Sequence, residues 1–174
     1  MDFKAILTHR LSMEEVHIIR DELINHKNEF SDFFQLIFQK PDKIAWQAAW
    51  ICEKVSKADA NLFTDDDYRQ LIDFTLINTH SGIQRLCLSI LRNLPVRKPV
   101  SVEFINNCFE GMISPKQPVG VQVLCMRNLQ EIGRVEPDIA YELFNCLENI
   151  DLMTYSVGFI AAKRNVIKSL KIIR

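Results

Sequence analysis

Four histidines, five cysteines and one dense acidic run are the side chains of this 174-residue sequence whose types could do chemistry. His9, His17, His26 and His80 fall in no metal-ligand spacing of the His-Glu-x-x-His kind, which would bring two imidazoles onto one helix face. His17 and Asp21 stand one helical turn apart, where a carboxylate can orient an imidazole for base catalysis, but the same spacing is ordinary on solvated helices. His80, beside Ser81 and Gly82, reads as a turn residue at a helix start. Asp65, Asp66 and Asp67 lack the further carboxylates of a calcium loop, and three acids in a first turn complement the helix dipole. Cys52, Cys87, Cys108, Cys125 and Cys146 are an odd set without Cys-x-x-Cys, which excludes a metal ribbon or redox motif. Each lies in an apolar stretch, where a free thiol acts as a small hydrophobe in a reducing compartment. A glycine-rich phosphate loop, a Gly-x-Ser-x-Gly elbow and a cysteine-histidine pairing are all missing from the sequence, so no catalytic residue, metal site or cofactor is expected.

The elements that would position these residues are helices. Apolar residues make up 48% and charged residues 25%, the balance of a folded domain, and only five glycines and no sustained strand-like alternation occur. The length suits one domain over residues 1–174. No apolar run is long enough to span a bilayer, and Met1-Asp2-Phe3-Lys4 leads into charged sequence, so a cytoplasmic chain that is neither exported nor membrane-bound is expected.

A period is visible. Shifts of 39 and then 38 residues superpose Ile44, Ile83 and Val121, then Ala48, Cys87 and Cys125, Ala49, Leu88 and Met126, Cys52, Leu91 and Leu129, and Val55, Leu94 and Ile132. Small residues recur mid-helix and aliphatics at the end. Ser12-x-x-Glu15 and Thr64-x-x-Asp67 predict capping boxes, Asn28 and Ser101 predict side-chain caps, and Gly133 after Ile132 predicts a left-handed stop. The signals predict an N-terminal helix at about 12–27 and hairpins at about 28–55, 64–94, 101–133 and 137–173.

The stretch from Ile44 to Glu53 and its echo from Val121 to Leu129 resemble the HEAT repeat family, of armadillo type. That resemblance implies an all-α, right-handed superhelix of about four stacked antiparallel helix hairpins, each covering its neighbour's apolar stripe. It also implies a binding scaffold rather than an enzyme, with partners held on the concave face formed by the second helices. In the last unit Lys163, Arg164 and Lys168 are expected to interrupt the apolar register, as in a terminal repeat. Small bacterial proteins of similar appearance are labelled adenylosuccinate lyases, but the Ser-Ser-x-Met-Pro-x-Lys-x-Asn loop of that enzyme family is missing from this sequence. HEAT-like DNA alkylation-repair glycosylases share the architecture and would need an aromatic, basic groove with a catalytic carboxylate.

Two features offer binding surfaces. Trp46 and Trp50, four apart, would either anchor a ligand or cover Phe30, Phe33, Phe34 and Phe38, the second being favoured, while Ile44, Ala48, Ile51 and Val55 face the core. Charge is polarised: residues 1–87 carry 10 basic and 14 acidic side chains, residues 88–174 carry 11 and 8. Arg85, Arg92, Arg127, Lys163, Arg164 and Lys168 lie on second helices and, if aligned, would form a basic stripe for an acidic protein segment or a phosphate backbone. The overall net charge of −1 weighs against nucleic acid, so a peptide or protein partner, acidic where it meets the stripe, is expected.

Overall fold

The computed structural model describes residues 2–173, and within them ten α-helices and no strand. The expected fold class is found: an all-α chain of antiparallel helix hairpins. By its internal contacts the chain divides into two compact units, residues 1–95 and 96–174.

Unit 1 holds α1 (Phe3–Ile6), α2 (Met13–Asn25), α3 (Lys27–Phe34) with the 3₁₀ turn Gln35–Phe38, α4 (Asp42–Ala58), α5 (Asp65–Ile77) and α6 (Ser81–Asn93). Its starts are written locally. The Ser12 and Thr64 side chains accept from the backbone amides of Glu15 and Asp67, whose carboxylates return the bond, so both capping boxes form. Asn28 does not cap: α3 begins a residue earlier, after His26, with no side-chain bond at its first turn. The His80 ring accepts from the Ile83 amide at 3.3 Å and caps α6.

α4 packs against α2, α3 and α6, and α5 closes the second hairpin on α6. Ala48, Ala49, Cys52 and Val55 of α4 are fully buried, as are Cys87 and Leu88 of α6, so the periodic positions form the core, although Ile44 is only half-buried. A phenylalanine cluster completes it. Phe30 meets Phe63 at 4.8 Å between centroids, Phe38 meets Phe74 at 5.1 Å and Phe3 meets Phe33 at 4.9 Å, all edge-on. Such pairs add about 0.5–1.5 kcal/mol each beyond burial.

Unit 2 holds α7 (Val102–Ile113), α8 (Val119–Gly133), α9 (Pro137–Asn149), the 3₁₀ turn Leu152–Thr154 and α10 (Val157–Ile173). The Ser101 hydroxyl accepts from the Phe104 amide at 3.2 Å, the expected cap. α8 lies at the centre, packed against α7, α9 and α10, and buries Val121, Cys125, Met126, Leu129 and Ile132. Gly133 is not a left-handed stop. No described glycine has positive φ; Gly133 is the last residue of α8, and a Cβ there would lie 2.9 Å from the Ala140 Cβ and 3.0 Å from its Cα. The position needs glycine because α8 and α9 approach closely there. The terminal register is also intact: Phe159, Ala162, Val166 and Leu170 of α10 are buried at three- and four-residue steps, so Lys163, Arg164 and Lys168 flank the stripe instead of interrupting it.

Candidate binding surfaces on the second helices

In unit 1 the two tryptophans come together: Trp46 and Trp50 lie 5.4 Å apart between centroids at 43° on one face of α4. They are half-buried, and the ring partners of the phenylalanine cluster among the described residues are other phenylalanines. Trp46 lines a depression of about 550 Å³ with Arg10, Asp42, Lys43 and His80. Its wall is held by Gln47, a buried carboxamide with both donors and its oxygen engaged across sequence: Nε2 donates to the Leu7 and His9 carbonyls at 2.7 Å each, and Oε1 accepts from the Leu11 amide at 2.9 Å. Lys43 donates to the Thr8 carbonyl, and the Asp42 carboxyl, paired with Lys40, lies below its ordinary range because of that bond. Gln47, Arg10 and His80 were invisible as partners in sequence, since a mid-helix glutamine reads as solvated.

The other second helix of unit 1 carries Arg85 and Arg92, seven residues apart on one exposed face and without an ion pair among the described residues. Beside them a polar network ties α4 to α6. Ser89 donates to the buried Glu53 carboxylate at 3.2 Å, Asn93 donates to the Ser56 hydroxyl at 2.9 Å, and Lys54 and Lys57 both reach Glu53. Burial pushes the Glu53 carboxyl up, but the two lysines outweigh it and hold the group below its usual range.

In unit 2 the structure gathers Lys163, Arg164 and Lys168 and adds Lys171, around a groove of about 600 Å³ on α10. Arg127 does not line it; half-buried on α8, it donates to Gln130 at 3.0 Å. Just before α10, Tyr155 stacks on Phe159 at 4.2 Å and donates from its hydroxyl to the Ile113 carbonyl at 2.8 Å.

Asp21, Asp66 and Asp67 are engaged in local bonds. Asp21 is held by the Arg20 guanidinium through bonds of 2.8 and 3.0 Å, and His17 is exposed. Asp67 closes a capping box and Asp66 pairs with Arg69. No cluster of three metal-ligating side chains occurs among the described residues. Four cysteines are buried and Cys146 is half-buried; burial raises the Cys87 thiol to about 12, which leaves it protonated and unreactive.

Helix hairpins whose second helices pack on one another, with small residues at the contact, define a helical-repeat protein. The sequence model of the HEAT repeat domain family matches residues 3–170, and the chain belongs to that family. No curated protein and no solved structure matches it. No helix among the described residues is long and apolar enough to cross a membrane.

Proposed function

We propose that this chain is a non-catalytic interaction scaffold that binds a peptide or partner protein on the exposed faces of its second helices. One observation carries the reading: Arg85 and Arg92 on α6, and Lys163, Arg164 and Lys168 on α10, project from packed helices and make no ion pair among the described residues. A rigid helix presenting unpaired guanidinium and ammonium groups is preorganised for carboxylates of a partner, and arginine and tryptophan are the side chains that dominate such contacts. The unpaired thiols accord with a cytoplasmic setting, and the uninterrupted family match supports treating both units as one repeat domain. The test is affinity capture with the full chain followed by reconstitution of each identified partner with purified protein. Arg85→Glu/Arg92→Glu is expected to lose the partner while keeping the wild-type melting temperature; undiminished binding clears α6 of any role.

A second reading is nucleic-acid binding of the alkylation-repair type, favoured by one grouping: Trp46, Arg10, Lys43 and the Asp42 carboxylate share a depression. Titration of a labelled DNA duplex at rising salt decides it. Affinity that falls steeply with salt supports phosphate contact, and no binding at low salt removes the reading.

A further inference from the structure

α10 presents two faces of different chemistry. Phe159, Ala162, Val166 and Leu170 are buried within unit 2. On another side Ile160 and Ile167, with Leu152 of the preceding turn, form the half-buried apolar floor of the groove. Lys163, Arg164, Lys168 and Lys171 rim that floor, against Glu148 as the only acid among the lining residues. Lys171 is additionally positioned over the Phe144 ring, 5.8 Å from its centroid. The other three cations make no ion pair among the described residues. From Ile160 to Lys171 the helix axis runs about 16 Å, three turns.

We propose that this groove binds an acidic amphipathic helix, its aliphatic side chains seated on Leu152, Ile160 and Ile167 and its flanking aspartates and glutamates paired with the four cations. This rests on the interaction-scaffold reading and names the partner chemistry for one of its surfaces. Charge complementarity requires an anionic occupant, since the lining carries an excess of three positive charges. The apolar floor decides which anion. Three aliphatic side chains offer nothing to a phosphate backbone, whereas an amphipathic helix lays residues at i, i+3, i+4 and i+7 into such a groove. An extended peptide has no sheet edge to join, because no strand is present among the described residues.

The experiment uses the full chain and a fluorescein-labelled synthetic peptide of about four helical turns, with leucine and isoleucine on one face and glutamate and aspartate elsewhere. A second peptide of equal composition has the apolar residues scattered around the helix. Anisotropy is expected to show saturable binding of the first, about tenfold weaker for Lys163→Glu/Lys168→Glu, for Ile167→Gln and for the scattered peptide. The substituted side chains are half-buried or exposed, and circular dichroism and melting must match wild type. Lack of binding at low salt overturns the proposal, as does binding that ignores Ile167→Gln and is matched by a DNA oligonucleotide of equal charge. If the α10 variants bind like wild type while Arg85→Glu/Arg92→Glu abolishes binding, the α10 groove falls and the scaffold reading stands.

Discussion

In residues 1–95 the lysines of α4 are answered where they stand: Lys54 and Lys57 both reach Glu53, and the same carboxylate accepts from Ser89 on α6. Among the described residues of 96–174 the cations of α10 meet no such carboxylate; Lys163, Arg164 and Lys168 rim a groove with a half-buried aliphatic floor. Both helices bury an equivalent apolar stripe, so the difference lies outside the core. A charged group on a repeat helix joins helix to helix when an acid lies within one turn or on the packed neighbour, and otherwise stays available to a partner. Trp46 and Trp50 make a similar point, since a tilted, half-buried pair is partly packed and partly surface.

The largest break in the comparison comes from charging either core. Ala48→Glu in unit 1 and Cys125→Glu in unit 2 each place an unpaired carboxylate at a position no more than 1% exposed, and each is expected to cost about 4 kcal/mol or more. Loss of the cooperative melt is the expected readout, and wild-type melting temperatures would exclude both core placements. Next, Gln47→Ala strands the Leu7 and His9 carbonyls and the Leu11 amide, at a cost of about 2–3 kcal/mol confined to unit 1. Hydrogen exchange should quicken in residues 3–11 first; uniform exchange across the chain would deny the clamp.

Gly133→Ala is the corresponding probe of unit 2. A Cβ 3.0 Å from the Ala140 backbone forces α8 and α9 apart, costing about 1–3 kcal/mol, although alanine is the better helix former. An alanine variant more stable than wild type would remove the close approach. The smallest effect is electrostatic. Glu53 is depressed when folded, so its contribution is complete above the ordinary carboxyl value of 4.5 and lost as pH falls through the folded value. Melting followed from pH 7 to acid should therefore decline less steeply in Glu53→Gln than in wild type, and parallel curves would count against the lysine pairing. At α2 the bonds from Ser12 hold Glu15 to about 2, so its capping contribution persists above 4.5 and disappears between there and about 2. A carboxyl titration by NMR near 4.5 would show that the box does not close.

Much of this was legible beforehand. The Ser12 and Thr64 boxes, the Ser101 cap and the buried positions 48, 87 and 125 follow from signals within a few residues of each other or from a repeat that reinforces them. Asn28 misled because an asparagine can cap only if the helix begins just after it, and α3 begins at Lys27. Gly133 misled because a glycine after an apolar run has two uses, a left-handed turn or a close crossing, and only the position of Ala140 separates them. The ring partners of the phenylalanine cluster were not legible, because Phe3, Phe63 and Phe74 reach it from elsewhere in the chain. For the basic side chains, sequence placed Lys163, Arg164 and Lys168 on a second helix, but Arg127 turned to its own helix and Lys171 joined the groove.

The sequence by itself determined the capped helix starts at Ser12, Thr64 and Ser101 and which stripe of each helix turns inward, because caps and the spacing of apolar residues act within one or two turns. Only the tertiary structure decided which polar side chains are consumed inside and which cations are left without an ion pair among the described residues. The Gln47 bonds and the Glu53–Ser89 contact link residues 36 to 40 apart. Whether a donor or a charge is satisfied depends on what packing brings beside it, which spacing along one helix does not encode.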